Sequence, residues 1–115
     1  MRTIPFLDLT AQDKRIQEEL KSKIQNVIDK NAFSSGIFVE EFEGEFAKFC
    51  GAKHCIAVNS GTSALHLALI AHGIKENDEV ITVPNTFIST VWAISYCFAR
   101  PVFIDTNDDF NINEN

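Results

Sequence analysis

Nowhere does this chain run apolar for long enough to cross a membrane. Its longest apolar region, Ala64 to Ile74, is interrupted by His66, His72 and Gly73, well short of the roughly 18 residues that a membrane helix needs. No secretory leader is expected either: Met1 to Thr10 has no continuous apolar stretch, and Pro5 and Asp8 break it up. Cysteine is scarce. Cys50, Cys55 and Cys97 are odd in number and make no CxxC pair, which points to reduced thiols in a cytoplasmic protein, packed as small buried hydrophobes. No metal site can be assembled, because the neighbours His54 and Cys55 would point apart on a strand. Basic charge is in deficit: 10 Lys and Arg stand against 16 Asp and Glu, for a net charge of −6. A broad positive footprint for nucleic acid or anionic lipid is thereby excluded. A small anion held by backbone amides is not.

What is present has the balance of an ordinary globular chain, 45% hydrophobic and 23% charged, and its 115 residues suffice for one modest domain. Neither repeats nor low-complexity linkers occur. Ile16, Leu20, Ile24, Val27 and Ile28 paint one face of a helix, for which Asp8 or Thr10 can supply the N-cap. The polar loop from Asn31 to Gly36 ends it. Val39, Phe42, Phe46 and Phe49 step along a second helix, with early glutamates at its positive end and Gly51 at its C-cap. From there the pattern changes. His54 to Val58 reads as a short buried strand, Ala64 to His72 as a helix closed by Gly73, and Glu79 to Val83 as a second strand. Phe87 to Phe98 reads as another helix, Pro101 to Asp105 as a third strand, and Thr106 to Asn115 as loop. Two helices followed by a βαβαβ alternation predict an α/β fold with a parallel sheet covered on both faces. The edge strands of such a sheet are unpaired unless another chain covers them, which predicts oligomerisation or marginal stability.

Ligands on sheets of this kind bind beyond the carboxyl ends of the strands, which directs attention to three places. At Val58 to Ala64 a strand gives way to a Ser60-Gly61-Thr62 turn and then a helix. Free amides, the helix dipole and two or three hydroxyls converge there, a natural phosphate cradle, although it lacks the lysine of a P-loop. The same residues also describe a Ser/Thr-capped helix start with no ligand. At Pro84 to Phe87 an aromatic ring sits just past a strand, placed either to stack on a flat cofactor or to anchor the helix in the core. Asp105, ending the third strand, is a loop cap or a solvated charge.

In this order the motifs resemble the DegT/DnrJ/EryC1/StrS sugar aminotransferase family over nearly the whole chain. The resemblance rests on Ile4-Pro5-Phe6-Leu7-Asp8-Leu9, on Phe33-Ser34-Ser35-Gly36, and on Val39-Glu40-Glu41-Phe42-Glu43 with Cys50-Gly51. It continues through Ser60 to Leu69, Asp78 to Thr82, Thr86-Phe87 and Pro101 to Asp105. It implies that residues 1–115 form the N-terminal portion of the large domain of a type I pyridoxal-phosphate (PLP) transferase. It also implies a homodimer that aminates nucleotide-linked keto sugars, with glutamate or glutamine as amine donor. By position, Ser60, Gly61 and Thr62 would hold the cofactor phosphate, Phe87 would lie over the pyridine ring, and the loop around Gly36 would border the substrate. The family's Schiff-base lysine and its pyridine acid both lie further downstream. None of the lysines from Lys14 to Lys75 occupies that motif, and Asp105 and Asp108 come too early for the acid. The chain is therefore read as truncated before the Schiff-base lysine and as inactive by itself, with no catalytic residue assigned. Other readings are a cyclitol or small-ketone aminotransferase, a dehydrating relative that uses the same cofactor, a non-enzymatic binding module for a phosphorylated ligand, and a structural or regulatory fragment with no ligand.

Overall fold

The computed structural model describes residues 4–113, with the side chains of residues 11–13 outside the description. Residues 1–3, part of the leader reading, and 114–115, expected in the terminal loop, also fall outside it. The chain divides into two units, one ending at Ala57 and the other beginning at Val58.

The first unit carries two helices. Helix α1 spans Thr10–Asp29. Its N-cap is Leu9, with no side-chain cap, so neither expected residue holds that position; Asp8, one residue earlier, accepts the Thr10 N–H on its Oδ1 at 2.9 Å. Donation from the Thr10 side chain, then from its backbone amide, keeps the Asp8 carboxyl below its ordinary value. At the other end Asn31, at φ 51°, donates its N–H to the Ile28 carbonyl, and Ala32 donates to Val27, both at 3.0 Å. Those two bonds are a Schellman exit. Helix α2, Ile37–Cys50, ends the same way through Gly51 at φ 65°, where a side chain would be strained. Phe42, Phe46 and Phe49 stack along one face with ring centroids 5.5 and 6.1 Å apart.

His54 to Val58, expected as a strand, forms none. Residues 52–60 are extended or bent, Ile56 is 80% exposed, and the Ala57 N–H donates to the Glu43 carboxylate at 2.7 Å. A strand exists only as part of a ladder, and among the described residues no neighbour offers one. Apolar content alone could not reveal that.

The second unit places helix α3, Gly61–Ala71, ahead of a parallel pair. Strand β1, Glu79–Thr82, pairs with β2, Arg100–Phe103, and helix α4, Ser89–Tyr96, makes the crossover. The α/β class therefore stands, with two strands in the ladder. Glu79 faces Arg100 in register and forms a salt bridge with it. The cluster of Ile94, Cys97 and Ala99 packs against Leu69, Ile74 and Val80 and fixes α3 and α4 against the sheet. Ile94, 2% exposed, contributes roughly 1.5–3 kcal/mol by that burial. Of the three thiols only Cys97 is buried. Cys50 is exposed and Cys55 half-buried, contrary to expectation, and all three are free. Thr106 to Asn113 is more than loop. A bridge between Thr106 and Ile112 closes a hairpin whose tip holds Phe110 at φ 64°.

Candidate functional site: a phosphate cradle at the start of α3

Ser60 is extended (φ −163°, ψ 159°) and its Oγ accepts the Ser63 N–H at 3.1 Å, as an N-cap does. The same hydroxyl donates to Ser63 Oγ at 3.0 Å. The Ala64 N–H reaches the Ser60 carbonyl at 3.0 Å. Among the described residues the Gly61 and Thr62 N–H groups then remain without an acceptor. Both point outward from the positive end of an eleven-residue helix, where an anion is favoured.

Gly61 and Thr62 border a cavity of about 570 Å³, together with Ala64, Leu65, Phe87, Ser89 and Thr90. That volume lies within the range of small-molecule sites. No acidic or basic side chain lines it, so an anion there would be held by amides and hydroxyls alone. Phe87 is 75% exposed and is not among the residues of the described core. Its ring lines the cavity, and it stands two residues before the first helical position of α4, not inside that helix. Thr62 Oγ1 donates to Ser89 Oγ at 2.9 Å, joining the starts of the two helices.

Of the four expected cofactor residues, the structure brings Gly61, Thr62 and Phe87 to one cavity. Ser60 does not line it; its hydroxyl is committed to the helix cap. Ser89 was missed by the sequence reading. It is 7% exposed and borders the cavity, yet Ile88-Ser89-Thr90 looks like any helix start. Only the contact with Thr62, 27 residues away, marks it. Asp105 is a loop cap: its Oδ1 accepts the Thr106 N–H at 2.8 Å, and its carbonyl accepts the Asn113 N–H. Gly36 lies in the first unit, ahead of α2, at φ 86°. Among the described residues no acidic, His or Cys cluster can hold a metal ion, and no helix is long and apolar enough to cross a membrane.

The chain is 40% identical over 96% of its length to dTDP-3-amino-3,6-dideoxy-alpha-D-galactopyranose transaminase of Aneurinibacillus thermoaerophilus, covering 31% of that protein. It is 41% identical over 98% of its length to GDP-perosamine synthase of Caulobacter vibrioides, covering 30% of it. Among solved structures it resembles NtdA of Bacillus subtilis with its cofactor PMP bound: TM-score 0.83, 29% identity, 93% of this chain and 25% of that one. The chain thus spans less than a third of the length of these relatives. With residues 14–115 matched to its pattern, the chain belongs to the DegT/DnrJ/EryC1/StrS aminotransferase family.

Proposed function

We propose that this chain supplies the phosphate cradle and one ring-stacking face for pyridoxal 5'-phosphate, in an enzyme that moves an amino group onto a nucleotide-linked keto sugar. The observation that carries the proposal is the pair of acceptorless amides at Gly61 and Thr62, on the wall that also holds Phe87. Two N–H groups at a helix start, with a hydroxyl beside them, fit a phosphate dianion. An exposed aromatic on the same wall fits a flat ring. The relatives' names, a dTDP-sugar transaminase and a GDP-perosamine synthase, support the sugar assignment.

In this reading Gly61 and Thr62 fix the phosphate, and Phe87 limits the tilt of the ring, so that binding energy is converted into orientation. The ring, when bound, supplies the electron sink for amino transfer. In this reading the lysine and the acid that act on it belong to residues outside these 115, while the loop around Gly36 borders the substrate. Glutamate or glutamine is the proposed amine donor, a homodimer the proposed assembly, and the cytoplasm the proposed location.

Equilibrium dialysis tests the cradle. The chain should retain pyridoxamine phosphate and release pyridoxamine, which lacks the phosphate. Equal retention of the two, or of neither, would overturn the proposal.

A further inference from the structure

We infer that Ser89 is a positioning residue for the phosphate, acting through the Thr62 hydroxyl; the inference rests on the phosphate-cradle reading of the same corner. The hydrogen bond between them runs from Thr62 Oγ1 to Ser89 Oγ at 2.9 Å. In that direction Thr62 has given away its one proton and shows only lone pairs to the cavity. A phosphate dianion, itself an acceptor, would be repelled by it. Thr62 can donate to the phosphate and keep its bond to Ser89 only if that bond reverses, with Ser89 donating and Thr62 accepting. The 2.9 Å geometry admits Thr62 as the donor, so the reversal asks for a turn of the Ser89 side chain as well as rotation of the two hydroxyls.

Three features suit Ser89 to this part. It is 7% exposed, so water competes weakly for its proton. It stands at the first helical position of α4, whose packing against α3 and the sheet through Ile94 holds its Cα in place. Among the described residues no other side chain hydrogen-bonds it, which leaves its proton available to turn toward Thr62. Hydrogen bonds in such a chain polarise one another, and a charged acceptor at the end strengthens them. A serine that donated straight to the ligand would act independently of residue 62. A relay through Thr62 cannot, and this difference makes the idea testable.

The test is a double-mutant cycle on the full 115-residue chain, with affinity for pyridoxamine phosphate read by fluorescence titration, and pyridoxamine and inorganic phosphate as parallel arms. Thr62→Val should weaken pyridoxamine phosphate roughly tenfold or more, the loss of a bond to a charged group. Ser89→Ala should weaken it roughly three- to tenfold. In the Thr62→Val background Ser89→Ala should have no further effect, because the relay is already cut. Thr62→Ser keeps the hydroxyl and should bind as the parent does. Ser89→Cys keeps the shape with a weak donor and should behave as Ser89→Ala, so it serves if the alanine variant does not fold. Inorganic phosphate should follow the same ranking, and pyridoxamine should be indifferent to every change. Additive losses at the two positions would overturn the relay, as would parental binding in Ser89→Ala or Ser89→Cys. The cradle would survive either result if Thr62→Val still weakened binding. Absence of phosphate-dependent binding in the parent chain would overturn both.

Discussion

Replacing Gly61 by alanine should make the chain more stable and its phosphate site worse. A Cβ built at Gly61 meets no atom within 4 Å, and the residue's φ lies outside the left-handed range. Neither packing nor backbone conformation therefore requires glycine there. In a helix, alanine is favoured over glycine by roughly 0.5–1 kcal/mol, and the first helical position places the gain near the lower end, about 0.5 kcal/mol. Urea unfolding followed by far-UV circular dichroism should show the midpoint moving up with an unchanged slope. Binding should move the other way. A methyl beside the Gly61 N–H stands where a phosphate oxygen must approach. Losing that charge-assisted bond costs about 1.5–3 kcal/mol, a rise in Kd for pyridoxamine phosphate of roughly tenfold or more. A Gly61→Ala chain that binds as tightly as its parent would refute the claim that this amide contacts the phosphate. A loss of stability would refute the claim that the glycine serves no structural need.

Three further outcomes follow from other residues. Ser60→Ala should cost about 1 kcal/mol of stability through loss of the cap on α3 and should affect pyridoxamine phosphate binding less than Thr62→Val does; the reverse order would restore Ser60 as a direct ligand. Because the folded Asp8 carboxyl titrates below its ordinary value, its contribution to α1 is complete above the unfolded-state value and fades as pH falls through the folded one; helical ellipticity should therefore drop in that acidic window, and Asp8→Asn should flatten the drop. Supplied with cofactor, glutamate and a dTDP-linked keto sugar, the chain alone should give no turnover above blank, and clear turnover would contradict the assignment of the reacting lysine to residues outside it.

Much of the helical part was legible, because helix ends are local events. Gly51 and Gly73 are glycines at the positions where a left-handed turn follows a helix, and both adopt it, at φ 65° and 82°. No such sign marks the end of α4, where Phe98 takes the same turn at φ 57° without the freedom of glycine. Residues 54–58 show the limit for strands: the apolar run is there, but a ladder needs a neighbour that no local pattern names. Both open outer edges of the β1–β2 pair follow from the same cause among the described residues. They keep alive the expectation of self-association or weak cooperativity, which sedimentation and thermal melting can check. At the site, the position of Gly61 and Thr62 at the start of α3 was legible from the Ser-Gly-Thr turn ahead of the helix, although the strand expected before it does not form, and the position of Phe87 from its place after Pro84. Ser60 was half-legible, since capping and ligand binding call for the same residue type, and its bonds with Ser63 show the cap in use. Ser89 could not be read at all, because its meaning lies in a contact across 27 residues.

The measurement that bears most directly on the account is an amide spectrum of the 15N-labelled chain during addition of pyridoxamine phosphate. The Gly61 and Thr62 cross-peaks should move saturably, with pyridoxamine leaving them in place. Saturable binding that leaves both peaks still, or equal movement with pyridoxamine, would mean that the phosphate is gripped elsewhere.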